Sequence, residues 1–175
     1  MKQRDVLGEM LDLAAGRLAA YGYLLTGSQH SGEDLVQDAI VKVFVRQRRL
    51  DGPAAAEAYV RAAMRTLHVD RMRRETRWRG LMPRLVDRSV APSPEDASAD
   101  QDRVGRALRE LAPQERAVVV LRYYDDLKVA DIATQMHLAE GTVKRYLSNA
   151  LDKLAGVLGT IDDTPERVGL VERKK

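Results

Sequence analysis

The residues best placed to do chemistry lie in one short stretch, "HLAEGTVKRYLSNALDKL", from His137 to Leu154. Read as a helix, it sets Val143, Leu147, Leu151 and Leu154 on one side and Thr142, Lys144, Arg145, Ser148 and Asn149 on the other. The apolar stripe is made to bury. The polar stripe offers cations for phosphates, and hydroxyl, amide and guanidinium groups whose donors and acceptors match base edges. A solvated helix face is the plain alternative. The preceding "KVADIAT" tips the balance toward DNA, because Lys128 to Leu147 has the spacing of a helix-turn-helix: Ile132 and Ala133 pack one helix, "MHLA" turns, and Val143 and Leu147 pack the next.

His137 falls where the turn needs a positive φ, and a helix end explains it better than a titrating role. Both helices are poorly capped. Lys128 and Ala139 occupy positions where Ser or Thr would accept the first free amides, and a cation is the wrong charge for a helix N-terminus.

The elements that hold this motif are helical along almost the whole chain, since apolar residues recur at helical spacing and no run alternates with period two. The first helix is expected from about Arg4 to Leu25, with Val6, Leu7, Met10, Leu13, Ala14, Leu18 and Tyr21 on one side. The second runs from Ser31, as a Ser-x-x-Asp cap onto Asp34, to about Arg49. "LDGP" breaks the chain before a third helix, about Pro53 to Arg79. Residues 80–102 hold three prolines and an acidic second half with Glu95, Asp96, Asp100 and Asp102, which reads as a flexible acidic linker. Four shorter helices follow, about Arg103 to Leu111, Pro113 to Tyr124, Val129 to Met136 and Glu140 to Leu158, and then a tail, 159–175, without an apolar stripe. The fold class is all-α: two small helical domains, 1–79 and 103–158, the second containing the helix-turn-helix.

Composition narrows the chemistry. The 175 residues include 29 Lys plus Arg against 26 Asp plus Glu, a net charge of only +3, so the placement of charge matters more than its sum. With no Cys there is no thiol catalysis, disulfide or thiolate metal site, and His30, His68 and His137 lack metal-ligand spacing. No nucleophile stands with a base, and no Gly-rich loop could cradle phosphate, so neither catalysis nor a cofactor is expected. No apolar run is long enough for membrane insertion and no apolar signal core follows the N-terminus, so a cytoplasmic protein is expected.

The third helix carries two polar stripes, Arg61, Arg65 and His68 on one, and Tyr59, Thr66, Asp70, Arg73 and Arg77 on the other, with Val60, Ala63, Met64 and Leu67 between them facing a core. "RMRRETRWR", which includes Arg73, Arg74 and Arg77, suits backbone phosphates. Trp78 at its end is expected to pack against a neighbour. In the second helix Asp34, Gln37 and Asp38 share one face opposite Val36, Ala39, Ile40 and Val43. Spacing alone leaves a docking patch and a solvated acidic first turn equally open.

Three segments, "YGYLLTGSQHSGEDLVQDAIVKVF", "RLDGPAAAEAYVRAAMRTLHVDRMRR" and "LRELAPQERAVVVLRYYDDLKVADIATQMHLAEGTVKRYLSNALDKL", in this order and spacing, resemble an extracytoplasmic-function (ECF) sigma factor of bacterial RNA polymerase over about residues 10 to 158. The resemblance implies that the first domain binds the beta-prime clamp helices of core polymerase and melts the downstream promoter element. The second would dock on the beta flap and read the upstream element. "DLVQDA" matches the clamp-binding motif, which assigns core contacts to Asp34, Gln37 and Asp38. The opened strand would meet the loop from Leu50, Asp51 and Gly52 to Glu57, together with Tyr59, Thr66, Asp70, Arg73, Arg74 and Arg77. Thr66 stands where the family often has Asn, and Arg145, Tyr146 and Asn149 depart from its usual recognition-helix pattern, so the promoter sequence does not carry over. Many members are restrained by an anti-sigma factor, which makes one a candidate partner here, although no residue marks it. The alternative reading is a freestanding helix-turn-helix regulator that does not act through core polymerase.

Overall fold

The computed structural model describes residues 3–46, 50–81 and 102–158, and every described element is helical. In chain order these are α1 (Gln3–Thr26), α2 (Gln29–Arg46), α3 (Pro53–Leu81), α4 (Asp102–Arg109), α5 (Pro113–Val119) with a π-helical turn over Val120–Tyr124, α6 (Val129–Met136) and α7 (Glu140–Leu158). The all-α expectation therefore holds, in two helical regions, α1–α3 and α4–α7. The stretch expected to be an acidic linker lies outside the described residues apart from its two ends, and the tail from residue 159 lies outside them entirely. Among the described residues no helix is long and apolar enough to cross a membrane.

The first region closes around Val6, Met10, Ala14, Leu18, Tyr21 and Leu25 of α1, Leu35, Ala39 and Val43 of α2, and Ala56, Val60, Ala63 and Met64 of α3. Burying each large aliphatic side chain stabilises the fold by about 1.5–3 kcal/mol. Backbone contact sets how closely α1 and α2 approach: a Cβ on Gly22 would lie 2.6 Å from the Gly32 carbonyl oxygen, so neither position admits a side chain without parting the helices.

Several boundaries move for local reasons. The cap of α2 is Ser28, whose Oγ accepts from the Ser31 amide at 3.4 Å, so Ser31 lies inside the helix and caps nothing. Leu13 is 64% exposed, because the α1 stripe advances in steps of four from Val6 to Leu18 and leaves it at the edge. Leu151 is also exposed and Ala150 is buried in its place, since the α7 stripe takes a step of three after Leu147. Trp78 is 65% exposed and does not pack as expected. The helix expected over Pro113 to Tyr124 widens after Val119: the amide of Asp125 donates to the Val120 carbonyl at 3.2 Å, five residues back, and that of Leu127 to Leu121 at 3.0 Å.

The two regions share apolar contacts, which periodicity did not foretell. Val69 and Met72 of α3 join Ala117, Val118, Leu121, Ile132, Ala133, Met136 and Val143 in a second cluster, and Val120 enters the first. A third cluster, Leu108, Leu111, Val119 and Ala150, has Leu24 of α1 packed against it.

The α7 cap is open, as its sequence implies: the Ala139 carbonyl accepts from Thr142 at 2.9 Å and Val143 at 3.2 Å, but its side chain accepts nothing. Ala139→Ser should raise stability by about 1 kcal/mol in a thermal melt of the full chain. An unchanged melting temperature would mean that these amides already have partners.

Candidate nucleic-acid interface

The helix-turn-helix forms because α6 ends in a left-handed residue. His137 has φ 54° and ψ 46°, its amide faces the Ala133 and Thr134 carbonyls, and the Leu138 amide donates to Ala133 at 2.9 Å. The reversed chain brings Val143 of α7 onto Ile132, Ala133 and Met136. With Val143 and Ala150 buried, Lys144, Arg145, Ser148 and Asn149 are exposed and Thr142 is half-buried. The Arg145 guanidinium lies 5.7 Å from the Tyr146 ring centroid, which holds the cation beside the exposed face. Of the two expected cap positions, Lys128 has extended backbone and makes no side-chain cap bond.

Sequence reasoning missed what orients α7. Lys153 Nζ reaches Glu115 Oε2 at 2.7 Å, and the same oxygen accepts from the Ala112 amide at 3.0 Å. The Glu115 side chain is only 7% exposed while that of Lys153 is 48% exposed, so the pair ties α7 to the start of α5 through a buried carboxylate and an ammonium that water still reaches. The acid three residues after Ala112, beyond Pro113, was the available signal.

On α3, Tyr59, Thr66, Arg74 and Arg77 are exposed while Asp70 and Arg73 are half-buried. The Thr66 hydroxyl donates to the Ala62 carbonyl at 3.0 Å, so its oxygen lone pairs are what it can offer a ligand. Arg73 lies 3.7 Å from Asp70, and Arg74 Nε donates to the Asp70 carbonyl at 3.3 Å. Thr66 and Asp70 share one groove with Gln135 and His137, and Arg73 and Arg77 share another with Met136, His137 and Leu138, so the helix-turn-helix lies against this face. The loop before α3 is more structural than expected. Leu50 packs on the first core, Gly52 is buried with φ 125°, and its carbonyl accepts from Ala56 at 3.0 Å, leaving Asp51 as the exposed group.

Asp34, Gln37 and Asp38 lie together and exposed on α2. Arg71 of α3 pairs with Asp38, and His30 is 3.7 Å from Asp34. Val41, 61% exposed, and Val45, 77% exposed, continue the same face. Among the described residues no group of side chains could hold a metal ion.

Of the other α3 stripe, His68 is buried and its Nε2 has no hydrogen-bond partner. Burial, then the charges of Arg116 and Arg71, lower its pKa from 6.5 to about 4. The folded chain thus keeps this imidazole neutral, whereas an unfolded chain binds a proton as pH falls below 6.5. Full stability holds above pH 6.5 and is withdrawn toward pH 4. Between pH 7.5 and 5.5 the loss from this group should be on the order of 1 kcal/mol. Urea melts should therefore show a steeper decline for the wild-type chain than for His68→Leu, and parallel declines would place the imidazole in water.

Models of two families, sigma-70 region 2 and sigma-70 region 4, match residues 12–78 and 101–154. The ECF RNA polymerase sigma factor SigL of Mycobacterium tuberculosis is 32% identical over 151 residues, covering 83% of this chain and 84% of that one. The RNA polymerase sigma-E factor of Streptomyces avermitilis is 30% identical over 143 residues, covering 82% and 79%. In fold, the chain is similar to the sigma factor RpoE solved in complex with the anti-sigma factor NepR from Bartonella quintana, with a TM-score of 0.55 and 24% identity over 89% of this chain and 98% of that one.

Proposed function

The chain belongs to the ECF group of sigma-70 factors, and from that membership we propose how its surfaces divide the work. It is a DNA-binding transcription factor that directs RNA polymerase and is not itself an enzyme. Residues 1–79 form the unit that binds core polymerase and opens the downstream promoter element, and residues 103–158 the unit that reads the upstream element, with 80–102 as the tether.

The carrying observation is the α7 face, where Lys144, Arg145, Ser148 and Asn149 stand exposed directly opposite the fully buried Val143. A helix so divided can enter a major groove without disturbing the core that holds it. Core polymerase, through its beta-prime clamp helices, meets Asp34, Gln37 and Asp38. The adjoining Val41 and Val45 give that contact an apolar part, which a merely solvated acidic turn would not need. The beta flap meets the second unit. On the first, Asp51, Tyr59, Thr66, Asp70, Arg73, Arg74 and Arg77 receive the opened strand, and exposed Trp78 extends the stacking surface. Strand opening draws on binding energy alone, because unstacked bases gain contacts that duplex DNA does not offer. An anti-sigma factor, as in the complex of the Bartonella relative, is part of the same proposal.

Transcription reconstituted from core polymerase, this chain and a promoter library tests the reading, and tight duplex binding with no transcription would favour a freestanding regulator. Lys144→Ala should weaken promoter binding and reduce the log-log salt slope by about one; an unchanged slope removes the phosphate contact. Asp34→Arg should weaken retention by core polymerase by about tenfold or more while leaving the melting temperature unchanged. Undiminished retention would move the docking patch elsewhere.

A further inference from the structure

One carboxylate at the contact between the two regions has three partners, and all of them belong to the first region. Asp125, at the end of the π-helical turn, accepts from the Tyr21 hydroxyl at 2.6 Å through Oδ2, and from Arg61 Nη2 at 3.1 Å through Oδ1. Arg65 Nη1 lies 3.4 Å from the same Oδ1. The carboxylate is 3% exposed, while the Arg61 and Arg65 side chains keep 30% and 23% of their surface in contact with water. Tyr124 stacks on Tyr21 with ring centroids 5.3 Å apart, and the Arg61 guanidinium stands 5.0 Å from each. Two guanidinium groups one helical turn apart and a phenol hydroxyl thus converge on a single anion. Removing the second region would leave those three donors in place with no anion.

We propose that Tyr21, Arg61 and Arg65 form a binding site for a backbone phosphate of the opened strand, and that Asp125 fills this site when the two regions are closed on each other. The assignment rests on the strand-binding reading of α3. Arg65 adjoins Thr66 and lines the same groove as Asp70, so a strand on that face continues over the two arginines. Gln135 and His137 of the second region line that groove too, so the closed arrangement narrows the groove beside the phosphate site while Tyr59, Arg74 and Arg77 on the rest of the face stay exposed.

The closed contact is also imperfectly satisfied, as an exchangeable one should be. The Arg116 guanidinium presses against the α1–α2 turn at Gly27, its Nε has no hydrogen-bond partner, and among the described residues no carboxylate pairs with it. Nearby His68 Nε2 is likewise unpartnered. Sealing such groups from water costs desolvation that opening returns.

The test needs neither core polymerase nor a promoter sequence. Fluorescence anisotropy with labelled oligothymidylate, which presents phosphates without sequence information, is measured beside the radius of gyration of the full chain from X-ray scattering. Asp125→Asn, checked for retained helicity, should enlarge the radius and tighten oligothymidylate binding by about tenfold. Adding Arg61→Ala and Arg65→Ala in that background should leave the chain enlarged and abolish the gain. Any other pattern, such as a gain that survives loss of both arginines or an enlarged chain with no gain, overturns the site. If Asp125→Asn does not fold, the wild-type chain decides: oligothymidylate must enlarge its radius as it binds, and binding without expansion, or no binding, rejects the proposal. Reconstituted transcription by the wild-type chain is scored separately, so a failed phosphate site does not count against the sigma function, nor the reverse.

Discussion

The structure depends on one helix serving as a wall to two cores. At 29 residues α3 is long enough, about 43 Å at 1.5 Å per residue, to pack its first half against α1 and α2 and its second half against the helix-turn-helix. Val60 and Met64 enter the first core, and Val69 and Met72 enter the second. Between these pairs the apolar face must rotate, and the residues at the crossover are Arg61, Arg65 and His68. A cation or imidazole there cannot join either core on apolar terms, so each must find an anion, stay neutral or keep contact with water. Asp125 supplies the anion for the two arginines, and His68 stays neutral.

The π-helical turn is the matching device on the other side. A regular α-helix continuing past Val119 would advance about 100° per residue and carry Tyr124 and Asp125 to other directions. Widening over Val120–Tyr124 lets Val120 and Leu121 remain buried in different clusters while Asp125 and Tyr124 face Tyr21 and Arg61. Burial, with the hydrogen bond to Asp125 second, raises the Tyr21 pKa far above the usual phenol range, so this hydroxyl remains a donor at any physiological pH. Elsewhere the first region is held by more ordinary means, such as the paired hydrogen bonds from Arg17 to Glu57 at 3.0 and 2.7 Å, where the hydrogen bond from Arg17 lowers the Glu57 pKa.

On the proposed division of work, recognition surfaces and shared core are separate parts of one molecule. The α7 face and the acidic face of α2 are exposed, with Asp38 of the latter paired to Arg71 of α3. The α3 face is shared with the second region. In the same proposal the second region limits access to the strand-binding face, and single-strand sites left open bind nucleic acid without regard to sequence.

How much was legible in the sequence follows from the range of the interactions. Helix positions, the left-handed turn at His137 and the division of α7 into buried and exposed faces depend on neighbours three or four residues apart, and period and turn chemistry revealed them. The order and spacing of the three quoted segments identified the family. Errors came where a stripe changed step, as at Leu13 and Leu151, or where two hydroxyls competed for one cap, as at Ser28 and Ser31. What only the tertiary structure decided is the pairing of Asp125 with Tyr21, Arg61 and Arg65, and the burial of His68 and Arg116. Those contacts join residues separated by tens of positions, and a charge pattern along a chain does not say which distant charge will share its space once two apolar surfaces have met.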